Sequence, residues 1–72
     1  MSNLVTALVA KYNGDVMVAR ANIENLLSNT NGVADHPDVV ATLDGLINQL
    51  ASAEEKLSTA LKLEQDKTFL QD

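Results

Sequence analysis

Cysteine is absent from the 72 residues, which rules out a disulfide framework, a thiolate metal site and a thiol nucleophile. Tryptophan is absent too, and there is one tyrosine and one phenylalanine. The chain therefore lacks the aromatic platforms that stack sugars, bases or proline-rich peptides. Basic residues are few: Lys11, Arg20, Lys56, Lys62 and Lys67 are scattered along a chain of net charge −5. Phosphate binding needs clustered Lys and Arg, so nucleic acid and anionic membrane are not expected partners. There is no glycine-rich phosphate loop, and the single histidine, His36, has no nucleophile to complete a Ser-His-Asp set. The apolar run from Leu4 to Ala10 has no basic segment before it, and Lys11-Tyr12-Asn13 ends it short of a membrane span. The expected location is cytoplasmic.

Aliphatic side chains are what the sequence has in quantity. Apolar residues make up 46% of the chain, nearly all Leu, Val, Ile and Ala, a mixture that suits helix packing. The length allows one small domain, residues 1–72, near the size at which a single core is marginal.

The chain is organised around Asn31-Gly32-Val33-Ala34-Asp35-His36-Pro37-Asp38. Asn31-Gly32 is a helix stop, since a left-handed residue past the last turn suits Gly and, less often, Asn. Asp35 and Asp38 bracket a helix start, and Pro37 fits a first turn, where its missing N–H is not needed. The residue before proline avoids helical angles, so the cap is either Asp35 or His36. Residues 3–31 and 37–67 are the expected helices, with a turn over 32–36 and a frayed tail over 68–72.

On the first helix Val5, Val9, Tyr12, Val16, Ala19, Ile23 and Leu26 alternate spacings of four and three, the mark of a helix burying one seam. Asn13-Gly14 is a turn dipeptide inside this pattern. A true break shifts the phase of an apolar stripe, yet the stripe keeps step across Gly14. One continuous helix, bent at most, is expected; a break into three helices is the lesser alternative. The second seam is Val39, Leu43, Leu46, Leu50, Ala53, Leu57 and Ala60. Gly45 lies off it, at a cost unless another backbone packs close.

In an antiparallel hairpin with a short turn, facing residue numbers have a constant sum. A sum of 65 or 66 pairs Leu26 with Val39, Ala19 with Leu46, Val16 with Leu50, Tyr12 with Ala53 and Val5 with Ala60, and fills every layer. The expected fold is all-α, an antiparallel two-helix hairpin. Such a pair buries one stripe per helix, while Leu4, Leu8, Met17, Val18, Leu27, Val40, Ile47 and Leu61 lie off the seams. Faces this wide are typical of bundles. A homodimer forming a four-helix bundle follows, with Leu8, Val18, Val40, Ile47 and Leu61 as the candidate dimer face.

Chemistry is not expected. His36 between Asp35 and Asp38 lacks a second imidazole for a metal site, and those residues serve as caps. Glu54 and Glu55 point in different directions from one helix, so they form no acid–base pair. Arg20 with Glu24, Lys11 with Asp15 and Lys62 with Asp66 are spaced for surface ion pairs. No catalytic, cofactor-binding or metal-binding residues are assigned, and the chain is expected not to be an enzyme.

The stretch Ala19-Arg20-Ala21-Asn22-Ile23-Glu24, followed by Gly32-Val33-Ala34-Asp35-His36-Pro37-Asp38-Val39, resembles small uncharacterised helical-hairpin proteins of marine tailed bacteriophages. The resemblance implies a phage accessory or structural protein, working in an infected host's cytoplasm or in a virion, and brings no known activity. Two roles are compatible with the sequence. One is self-association and action through protein–protein contact. The other is regulation or inhibition by docking the off-seam stripe on a host protein.

Overall fold

A computed structural model describes residues 3–29 and 38–66, as two α-helices that lie side by side in antiparallel orientation. Helix α1 spans Asn3–Ser28 and helix α2 spans Val39–Gln65. The turn and cap residues Gly32, Asp35, His36 and Pro37 lie outside the described residues, as does the tail from residue 67 onward.

Helix α1 runs unbroken through Asn13-Gly14. A strong local turn signal is overridden because the seam before and after it faces the same partner helix. The helix ends three residues earlier than the Asn31-Gly32 signal suggests. Its last turn is closed by side chains: the Ser28 hydroxyl donates to the carbonyls of Glu24 at 2.8 Å and Asn25 at 3.3 Å. The Asn29 amide donates to the carbonyl and side-chain oxygen of Asn25, at 3.0 and 2.7 Å. These side chains add donors to carbonyls of the last turn, and the Asn25 carbonyl also accepts the Asn29 backbone N–H at 3.2 Å.

Helix α2 starts two residues later than expected, so Asp38 is its N-cap rather than a first-turn residue. The Asp38 carbonyl accepts from the N–H and the hydroxyl of Thr42, both at 3.1 Å, while its carboxylate makes no capping bond. At the far end the Asp66 N–H closes on the Lys62 carbonyl at 2.9 Å.

All fourteen seam side chains are buried or half-buried, and Leu63 and Glu64 extend the second seam by a further turn. Among the described residues the buried set is Val16, Ala19, Ala53 and Ala60. Three of these four are alanines, which lets the helix backbones approach closely at those layers.

The register differs from the tight-turn expectation. Two hydrogen bonds cross between the helices: the Thr6 hydroxyl donates to the Glu64 carboxylate at 2.8 Å, and the Arg20 guanidinium to Glu54 at 3.2 Å. Their residue numbers sum to 70 and 74, not 65 or 66. In the tight register Arg20 lies level with residues 45–46, leaving Glu54 about 13 Å further along at ~1.5 Å per residue. Helical side chains lean toward their own N-terminus by about one residue, which sets the level sum near 70. The second helix is therefore slid by roughly 7 Å, about one turn. The physical reason is the connection. Helix ends at Ser28 and Val39 leave ten residues between them, too many to impose the register of a five-residue turn.

Candidate protein–protein interface

The slid register keeps the seams facing and decides which off-seam residues share a side. Arg20 and Glu54 each sit one position past the seam of their helix, and their bond marks one flank of the hairpin. Steps of seven residues keep a side chain on the same flank of a packed helix. Val40, Ile47 and Leu61 are at such steps from Glu54, and Leu27 is one step from Arg20. These four join Arg20 and Glu54 on one flank. Leu61 and Val16 line the open groove that Arg20 and Glu54 border.

The opposite flank carries Leu8, Asp15 and Val18. Asp15 and Val18 line a shallow groove with Gln49 and Lys56, and Leu8 lines another with Tyr12, Lys56 and Leu63. The candidate dimer face of Leu8, Val18, Val40, Ile47 and Leu61 is therefore not one surface. Leu8 and Val18 face away from the other three. Off-seam spacing on a single helix does not say which flank adjoins which on the partner helix; only the antiparallel pairing fixes that. Leu27, visible in the sequence as an off-seam residue, belongs with Val40, Ile47 and Leu61.

The flank is exposed. Val40 is 81% accessible, Leu27 55%, Ile47 50% and Leu61 38%. Its polar centre is exposed as well, the Arg20 and Glu54 side chains being 62% and 48% accessible. An ion pair so open to solvent contributes little to stability. Glu24, the expected partner of Arg20 one turn along the same helix, is passed over in favour of Glu54. Both residues stand one step past a seam, and that position was the sequence signal for the cross-helix pair.

The remaining polar residues do local work. Lys11 pairs with Asp15 at 2.9 Å, and its ammonium lies 5.6 Å from the centroid of the Tyr12 ring. The hydrogen bond to Asp15, then the charge of Asp15, hold the Lys11 ammonium above its ordinary 10.5. Tyr12 is half-buried in the seam. Asn25 and Asn29 are engaged in closing α1, and Asn22 is exposed.

Among the described residues no three acidic or histidine side chains gather as a metal site requires, and no buried side-chain polar atom lacks a hydrogen-bond partner. Neither described helix is long and apolar enough to cross a membrane. Comparison of the chain with protein families, with curated proteins and with solved structures finds no match.

Proposed function

We propose that the protein is a non-enzymatic self-association module, in which two hairpins pair through the flank of Leu27, Val40, Ile47 and Leu61 to form a four-helix bundle. The observation that carries this is four large aliphatic side chains, exposed and on one side, around a single ion pair. Large apolar side chains left exposed along one flank in this way point to an interaction site. Among the described residues none lies below 2% exposure, and pairing two hairpins supplies the interior that one lacks. A second copy is always present at matching concentration and presents the same flank, so it is the occupant proposed. Within a phage-infected cell or a virion, such a bundle serves as an accessory or structural part.

The test separates the flanks. Ile47→Asp places a charge in the proposed interface and is expected to weaken association at least a hundredfold, read by sedimentation velocity across a dilution series. Val18→Asp, on the opposite flank, is expected to leave association within about threefold of the original. Equal effects of the two variants contradict the assignment. If the unaltered chain stays single, the flank instead belongs to a different protein.

A further inference from the structure

We propose that Asn13-Gly14 is a modification site that stays closed while α1 is helical and reacts once the helix opens, when Asn13 loses ammonia and becomes aspartate or isoaspartate. The proposal rests on α1 alone and is independent of self-association. All three glycines of the chain directly follow an Asn or an Asp, in Asn13-Gly14, Asn31-Gly32 and Asp44-Gly45. In such pairs the next backbone nitrogen attacks the side-chain carbonyl most easily, because glycine has no Cβ to hinder the approach. Within α1 the structure gives no other reason for this dipeptide. Asn13 and Gly14 are exposed, and a Cβ on Gly14 would meet nothing within 4 Å. The pair places a turn signal and a poor helix former inside a helix.

The reaction is a ring closure followed by hydrolysis. The Gly14 backbone nitrogen bonds to Asn13 Cγ and the Cγ–Nδ2 bond breaks. Nδ2 leaves as ammonia, taking the proton that the Gly14 nitrogen gives up. Water then opens the five-membered succinimide. Addition at Cγ leaves Asp on an ordinary backbone, whereas addition at the backbone carbonyl leaves isoaspartate, with the chain running through Cβ and Cγ.

The helix blocks the first step twice. Inside an α-helix the Gly14 N–H donates to the carbonyl four residues back, that of Ala10. Ring closure also needs Asn13 Cβ and the Gly14 nitrogen to eclipse about the Cα–C bond, and a helical ψ of about −42° holds them apart. Helix α1 is unbroken through both residues, so exposure to water alone does not open the site. Neither block survives local unfolding. The product then bears on the fold. Isoaspartate adds one backbone atom between Tyr12 and Val16, so the seam before it and the seam after it no longer face α2 in step. Val16 and Ala19, buried at 7% and 3% exposure, lie just beyond the insertion. A chain that has lingered open is thereby kept from closing again, and Asn13 acts as a one-way record of opening.

Peptide mapping by mass spectrometry, after incubation of the full chain in mildly alkaline buffer, reads the loss of Asn13 separately from that of Asn31. Unfolding the chain in guanidinium chloride is expected to speed the reaction at Asn13 by at least about tenfold, because the rate follows the open population. Val16→Ala thins the packing of the next turn. It is expected to speed the reaction at least about threefold in buffer and to leave the rate in guanidinium chloride unchanged. Rates that agree within about twofold in buffer and in denaturant, or no effect of Val16→Ala in buffer, overturn the closed site. A chain synthesised with isoaspartate at position 13 is expected to lose its cooperative melt, while Asn13→Asp, the other product, retains it. An isoaspartyl chain that melts like Asn13→Asp overturns the one-way record.

Discussion

Among the described residues Val16 is the one buried residue with more than a single methyl to lose, because Ala19, Ala53 and Ala60 complete the buried set. Val16→Ala removes the equivalent of two methylene groups from the best-packed layer. At ~0.8 kcal/mol each, plus a small cavity term, it should cost about 2 kcal/mol, read as a lower urea midpoint with an unchanged slope. A loss below about 0.5 kcal/mol would show that the seam is not where the apolar burial lies. Lys11 offers a second check at this scale. Its ammonium is held above 10.5 by the hydrogen bond it donates to Asp15 and by that residue's charge, so Asp15→Asn should lower its titration midpoint in side-chain NMR. A raised lysine favours the fold only while it stays protonated. Any contribution from this pair is complete below pH 10.5 and fades as pH climbs through the folded value, so stability near pH 7 should not depend on it.

At the scale of the element, two glycines sit in helix interiors with no structural demand for them. A Cβ built on Gly14 or on Gly45 meets nothing within 4 Å, and neither has a positive φ. The close backbone approach that could have justified Gly45 is absent within the hairpin. Gly14→Ala and Gly45→Ala should each stabilise by about 0.5–1 kcal/mol, additively because the sites are distant. Thermal unfolding followed by circular dichroism measures this; a destabilisation at Gly14 would mean the helix bends there after all.

Much of the elements was legible in the sequence, because seam spacing survives any slide that keeps the stripes facing. The fourteen buried or half-buried seam positions follow from period alone, and so does the continuity of α1 through Gly14. The register was not legible. Neither Asn25–Asn29 capping nor the late start at Val39 has a signal as strong as Asn31-Gly32 or Pro37, so the connection looked shorter than it is. The flank split of Leu8 and Val18 from Val40, Ile47 and Leu61 needed the pairing of Arg20 with Glu54, which no single-helix pattern contains.

For the whole molecule, the account makes the hairpin incomplete until a second copy covers Leu27, Val40, Ile47 and Leu61. Folding and association are then linked by mass action, and the melting temperature should rise with protein concentration. The central claim is most directly tested by sedimentation equilibrium of the unaltered chain at micromolar concentration. The account predicts a mass of two chains, twice 7.7 kDa, whereas a mass of one chain with a cooperative, concentration-independent melt would contradict it.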